Sequence, residues 1–459
     1  MDINDKFKEQ IQKILPTEWE ALLNALQTEP SVSVRKNIYK NAGSISGNQV
    51  PWCELGHYLN ERAPFTFDPM FHAGAYYVQD ASSMFIHHIL KQIVGDKDIN
   101  YLDLCAAPGG KTTTALNALS EKSLVVCNEI DRQRAQILRE NIIKWGAPNC
   151  VVCNDTSNTL GKLKNFFDVI AADMPCSGEG MFRKDAEAVA QWTPALVEQC
   201  AERQQEILDN IWKALKPGGF FIYSTCTFNR QEDEEMVQYI MDNYDAESIE
   251  IQTEYSWNIA KGIDTPYHCY RFMPHRTNGE GLFVAVLQKA GNPTETKIKP
   301  NKKKGKNQPI SKDSKALIKT PENFEFVSDG EMIKAYVKEQ AERIKYIEDQ
   351  AKVIYSGIEI ATIKGKDIIP EHSLAMSVYA NFDKFKCCEV EYAQAIQFLR
   401  GESFPLNNLG NGHIVITYKN MPLGFMKNIG QRANNRYPKE WRIKSSFAPE
   451  TAPIIVEDK

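Results

Sequence analysis

The sequence predicts an α/β protein with a doubly wound, mostly parallel sheet, preceded by an N-terminal extension and followed by a C-terminal α+β piece. Three observations predict it. Short apolar runs alternate with helical periodicity from Tyr101 to about residue 290. Polar clusters follow those apolar runs, where open parallel sheets bind their ligands. The 459 residues also exceed what one hydrophobic core usually supports, so two or three domains are expected.

Taken in order, residues 1–75 show weak helical periodicity and then a loop rich in Gly, Ser, Asn and Pro, NAGSISGNQVP. They form an N-terminal extension. YLDLC is a strand and GKTTTALNALS a helix; SLVVC is a strand and DRQRAQILRENIIKWG a helix that ends at Gly146. CVVCN and FFDVIAAD are the third and fourth strands. A long helix runs through TPALVEQCAERQQEILDNIWKALKPGG and closes at Pro217-Gly218-Gly219. FFIYST is a strand, QEDEEMVQYIMDN a helix and GLFVAVLQKA the final strand. This core is placed at residues 76–290. Residues 291–320 read as a Lys-rich linker, with nine Lys against Asp313 alone between 297 and 319. It is a solvated run that also suits a tether to RNA. A connecting α+β segment, 321–380, carries a helix at 329–353 and short strands such as GIEIATIKG. A compact module, 381–459, closes the chain.

Composition narrows the function classes. A net charge of −5 excludes a globally basic nucleic-acid binder, though a local patch suffices for binding. No window approaches the ~18 apolar residues of a membrane helix, so no membrane partner is expected. The start, MDINDKFKEQ, has no apolar signal core, and the odd count of 11 cysteines has no framework spacing. A cytoplasmic protein with free thiols is the expectation.

CAAPGGKTTT, residues 105–114, resembles the end of a phosphate-binding loop, but Cys105 stands where that loop needs its first glycine. The dinucleotide pattern fails as well, so the loop serves a ligand without a phosphate wrap. Glu129, at the end of the second strand, sits where a carboxylate receives ribose hydroxyls. A ribose ligand without phosphates points to an adenosine derivative such as S-adenosylmethionine, with Asp155 accepting from the adenine amino group.

Two thiols lie at strand ends, Cys176 in DMPCSGEG and Cys226 in YSTCTF. Cys127, Cys200 and Cys269 read as small buried hydrophobes. Cys150-x-x-Cys153 faces opposite sides of one strand, and neither it nor Cys387-Cys388 is expected to hold metal. Two thiols, a carboxylate and a methyl donor suit methylation of a pyrimidine at carbon 5. That carbon is a poor nucleophile until a thiolate adds to carbon 6 and makes the ring an enamine. Asp173 is placed to hydrogen-bond N3 or the exocyclic amine during addition. The chemistry alone does not order the two cysteines.

CAAPGGKT, DMPCSGEGMFRKD, LKPGG and YSTCTFN, with YVQDASSM before them, resemble the Sun/Fmu family of RNA cytosine-5 methyltransferases. GEGMFRKD and the C-terminal segment are similar to the bacterial branch acting on 16S ribosomal RNA. The resemblance implies a Rossmann-like class I methyltransferase with a C-terminal PUA-like module, acting on the small subunit's RNA, and a monomer is expected. It makes Cys226 the nucleophile and Cys176 the thiol that assists release. It assigns Cys105, Ala106, Ala107, Pro108, Gly109, Gly110, Lys111, Glu129, Arg134, Asp155 and Asp173 to S-adenosylmethionine, with Lys111 orienting Asp173. The acidic stretch QEDEEM departs from the family's common Glu-Asn-Glu, with an effect expected on helix capping alone. A transfer-RNA enzyme of the same chemistry and a non-catalytic RNA-binding assembly factor are the alternatives.

The target base must be flipped out or single-stranded to meet a thiolate. Arg183, Lys184, Arg271, His275 and Arg276 are candidate RNA contacts near the site. Between 419 and 444, Lys419, Lys427, Arg432, Arg436, Lys439, Arg442 and Lys444 stand against Glu440 alone, with Tyr437 and Trp441 interleaved for stacking.

Overall fold

The computed structural model describes residues 3–40, 42–292, 309–365 and 367–457. Helices α1 (Asp5–Ile14) and α2 (Trp19–Ala25) open the chain. An antiparallel sheet follows, ordered Asn48–Val50, Cys53–Leu59, Val32–Lys36, Tyr76–Val78. The extension is thus more structured than its polar composition suggests. NAGSISGNQVP, expected as loop, holds Asn48–Val50 and also Ser44–Ile45, which pairs with Val456–Glu457 near the other end of the chain.

The central sheet has ten strands: β1 (Asn100–Asp103), β2 (Leu124–Asn128), β3 (Cys150–Cys153), β4 (Phe167–Asp173), β5 (Leu215–Thr225), β6 (Ala246–Ser248), β7 (Ala260–Lys261), β8 (Cys269–Phe272), β9 (Leu282–Lys289) and β10 (Val353–Ser356). Their spatial order is β7-β8-β9-β5-β4-β1-β2-β3-β10, with β6 also pairing β9. Strands β5, β4, β1, β2 and β3 run parallel and the others are antiparallel. The order reverses direction between β1 and β4, so a crevice opens beyond Asp103 and Asp173. Side chains alternate between two apolar layers: Tyr101, Val125, Val169 and Ile222 on one face, Leu102, Val126, Ile170 and Phe221 on the other. Cys150 and Cys153 fall in opposite layers, as their spacing requires.

Helix α3 (Gly110–Ala118) follows β1 and α4 (Arg132–Trp145) follows β2. Asp131 caps α4 by accepting from the Gln133 and Arg134 N–H groups, and Gly146 ends it in the left-handed region. Helix α5 (Pro194–Ile211) starts on the Thr193 cap with Pro194 in its first turn. It stops at Ile211, short of the expected Pro217-Gly218-Gly219. Leu215 pairs with Phe167 instead, and the register shift between Leu215 and Phe220 absorbs the proline and glycines as a bulge in β5. Helix α6 (Glu234–Asn243) follows β5.

Beyond β9 the reading is corrected again. Residues 332–337, expected to be helical, form a strand between Phe324–Asp329 and Ile358–Lys364, and helix α7 (Ala341–Gln350) begins later. β10, which was not foreseen, then joins the central sheet at β3. The lysines from 297 to 306 lie outside the described residues. Ser314 and Ile318, within the expected linker, are buried. The C-terminal module is a four-stranded sheet, Lys386–Glu389, Gly412–Tyr418, Met421–Asn428 and Ala433–Asn435, with helix Tyr392–Leu399. It shares a core with the N-terminal extension, where Val34, Phe65, Met70 and Tyr76 meet Phe398, Ile416, Met426 and Tyr437. Among the described residues, no helix is long and apolar enough to cross a membrane.

Candidate active site

The loop after β1 turns sharply into α3. Gly109 stands at φ +112°, a conformation that favours glycine, and α3 starts at the next residue. Asn128, at the end of β2, ties neighbouring strand ends together: its Nδ2 donates to the Leu104 and Asp155 carbonyls, and its Oδ1 accepts from Asp155 N. Arg134 donates to the Ala107 carbonyl at 2.8 Å and lies 3.4 Å from Glu129, and Asn141 donates to the Pro108 carbonyl. Glu129 is buried, while Ile130 beside it is 67% exposed. Asp155 accepts from the N–H groups of Thr156 and Lys352. Burial works to raise the Asp155 pKa, but these donors outweigh it and hold it below the ordinary value. The residues assigned to a cofactor therefore form one cluster at the carboxyl ends of β1, β2, β3 and β4. Its carboxylates and apolar side chain suit a ribose and a base.

Lys111 Nζ is 2.8 Å from Asp173 Oδ2, and Ser224 donates to Asp173 Oδ1 at 2.9 Å. Burial opposes the Lys111 charge. Asp173, Cys226 and Asp103 outweigh it and raise the ammonium pKa above its usual value. Asp103, below them, accepts from Thr112 Oγ1 at 2.6 Å, and burial pushes its carboxyl up to about 7.

The two thiols meet: Cys176 Sγ is 3.2 Å from Cys226 Sγ, and Cys226 N donates to Cys176 Sγ at 3.4 Å. The hydrogen bond with Cys226, then burial, holds the Cys176 thiol far above the usual range. The loops that carry them pack backbone to backbone. Gly180 N donates to the Cys226 carbonyl at 2.7 Å, and a Cβ on Gly180 would lie 2.9 Å from that oxygen. Glu179 accepts from Phe228 N at 2.7 Å, Trp192 Nε1 at 3.0 Å and Gln10 Nε2 at 2.9 Å.

Several expected RNA contacts are committed elsewhere. Arg271 is 1% exposed and paired with Asp233 and Glu234. Arg183 pairs with Glu280 at 2.7 Å, and Lys184 reaches the same carboxylate at 3.1 Å. His275 and Arg276 both meet Glu18, whose pKa falls to about 2 chiefly through the Arg276 hydrogen bond. The FRKD loop is a socket for the N-terminal helices: Phe7 packs on Phe182 and Trp192 at 4.9 and 5.4 Å. Tyr437 is buried and donates no stacking face; its hydroxyl meets His72 Nδ1. Arg432, Arg436 and Lys439 are exposed and Lys427 half-buried, so that strip remains open to a polyanion. The acidic stretch after Cys226 does more than cap: Glu232, Asp233 and Glu234 are all buried. Glu179, Ser224 and Glu232 were missed as structural partners of the site. Their signal was weak: Glu179 and Ser224 sit inside motifs already credited to cysteines, and Glu232 lies in the acidic stretch read for helix capping.

Three family descriptions match the chain: 16S rRNA methyltransferase RsmB/F over residues 91–288, the N-terminal domain of 16S rRNA methyltransferase RsmF over 3–81, and the methyltransferase RsmF PUA domain over 385–443. The ribosomal RNA small subunit methyltransferase F of Aeromonas salmonicida is 30% identical, covering 85% of this chain and 84% of its own. That of Aliivibrio fischeri (strain MJ11) is 28% identical over 95% and 97%. Among solved structures, a methyltransferase homolog from Pyrococcus horikoshii has a TM-score of 0.54 at 24% identity, covering 62% of this chain and 95% of that one. NSun6 from Pyrococcus horikoshii with SFG has a TM-score of 0.54 at 18% identity, covering 63% and 99%. Both share the fold.

Proposed function

The chain belongs to the 16S rRNA methyltransferase RsmB/F family, and from that premise we propose that it methylates carbon 5 of a cytosine in small-subunit ribosomal RNA, with S-adenosylmethionine as the methyl donor. The observation that carries this reading is the pair of thiols 3.2 Å apart at the carboxyl edge of the parallel strands, beside the Lys111–Asp173 pair.

Glu129 and Asp155 would hold the donor's ribose and adenine, and residues 105–111 would line its methionine part. When bound, the donor supplies an electrophilic methyl group. Lys111 and Ser224 fix the Asp173 carboxylate, which accepts from the exocyclic amine of the cytosine. The Cys226 thiolate adds to carbon 6, and the ring's electron pair moves to carbon 5, which would take the methyl group as the donor's sulfur–methyl bond breaks and the donor leaves as a neutral thioether. A base then removes the carbon-5 proton, the ring double bond re-forms and Cys226 leaves, with Cys176 assisting that release. Low-dielectric surroundings strengthen each of these polar contacts.

The direct test incubates wild type, Cys176→Ala and Cys226→Ala with ribosomal RNA and the methyl donor, and reads covalent protein–RNA bands on a denaturing gel. Cys176→Ala accumulates the band and Cys226→Ala never forms it. The reverse pattern exchanges the two roles. Neither a band nor methyl transfer with wild type points to another RNA or to a binding factor.

A further inference from the structure

We propose that Glu232 is a positioning residue for this reaction: its buried carboxylate fixes the loop of Cys176, so that release of the methylated product depends on it more than attack on the base does. The inference rests on the assignment of the two thiols above.

Glu232 is 0% exposed and gathers four donors. Oε2 accepts from Ser177 N at 3.0 Å and Gln204 Nε2 at 2.9 Å. Oε1 accepts from Asn229 Nδ2 at 2.8 Å and from Ser177 Oγ. These donors come from the Cys176 loop, helix α5 and the Cys226 loop. Ser177 follows Cys176 directly, and both its N–H and its hydroxyl end on this one carboxylate.

The Cys226 loop also meets Glu232 through Asn229, but Cys226 keeps further anchors of its own. It follows β5, whose last residue, Thr225, pairs with Phe283 of β9 and donates to Asp233 at 2.5 Å. Its carbonyl accepts from Gly180 N. Loss of the Glu232 carboxylate therefore loosens Cys176 first. The site also selects an acid over an amide. Burial pushes the Glu232 pKa up to about 7, and above that pH the ionised carboxylate offers only acceptors to its four donors, whereas a glutamine would set its NH₂ against two of them. Unpaired buried donors are costly, so Glu232→Gln disturbs the loop despite its near-identical shape.

The test uses the full chain with ribosomal RNA and S-adenosylmethionine, comparing wild type, Cys176→Ala, Glu232→Gln, Glu232→Asp and Ser177→Ala. Single-turnover rates of covalent band formation are read separately from multiple-turnover rates. For Glu232→Gln, band formation stays within about threefold of wild type while turnover falls about tenfold or more and the band accumulates. Glu232→Asp recovers part of the turnover. If Glu232→Gln melts at the wild-type temperature yet forms no band, or turns over like wild type without a band, the proposal is wrong. Should Glu232→Gln fail to fold, Ser177→Ala decides, since it removes only the hydroxyl that donates to Glu232 and accepts from Asn229 and leaves the carboxylate: accumulation supports the proposal and wild-type release overturns it. Absence of a band with Cys176→Ala overturns the assignment of the thiols itself, and this proposal with it.

Discussion

Asp103 shows how a single buried carboxyl couples the site to pH. Burial raises it to about 7 against 3.8 in an unfolded chain, with Thr112 as its hydrogen-bond partner. A raised carboxyl pKa means the folded state holds the proton more tightly. Its stabilising contribution is complete below pH 3.8 and is lost as pH rises through about 7. Relative to Asp103→Asn, wild type should lose roughly 4 kcal/mol of unfolding free energy between those limits, as read from denaturant curves at stepped pH. A flat difference between the two proteins would contradict this. Residues of this kind were partly legible in the sequence. Cys226, Cys176, Lys111 and Glu129 announce themselves because each follows an apolar strand, and strand ends converge in a parallel sheet. Arg271 did not. Its neighbours CYRFMPHR read as a basic surface, and its carboxylate partners lie 37 residues or more away in the chain.

Helices α1 and α2 act as elements, through one packed cluster with Phe182, Trp192, Phe228 and Met273. Phe182 and Phe228 belong to the loops of Cys176 and Cys226, so docking of the N-terminal helices bears on both thiols. Phe7→Ala removes a fully buried ring from that cluster and should weaken it by about 3–5 kcal/mol. Limited proteolysis of residues 5–25 should accelerate, and methyl transfer should fall while binding of the methyl donor holds. Unchanged proteolysis would show that the helices dock by other contacts. Helix and strand interiors were legible from periodicity, as for α4 with its Asp131 and Gly146 caps. Boundaries set by a partner were not. Leu215 becomes strand because Phe167 is beside it, and Met332–Val337 because two strands flank it, which no local propensity records.

Across the whole molecule, the N-terminal extension, catalytic sheet and C-terminal module share cores, so the module's basic strip is held at a fixed place relative to the crevice. Arg436→Ala with Lys439→Ala should weaken RNA binding and lower the salt slope by about 1.4–1.8, as for two lost phosphate contacts. An unchanged slope would place the RNA on another surface. The class of fold was legible because strand–helix alternation is local. The wrapping of both chain ends around the sheet was not, since it rests on apolar faces whose partners lie hundreds of residues apart. Strand β10 belongs to that wrapping, and it has a consequence during synthesis. A ribosome adding ~5–20 residues per second makes β3 roughly 10–40 s before β10. For that interval Cys150–Cys153 presents an open edge of N–H and C=O groups, a template for another strand. Nascent chains stalled before residue 353 are thus the species most exposed to pairing with their neighbours on a polysome.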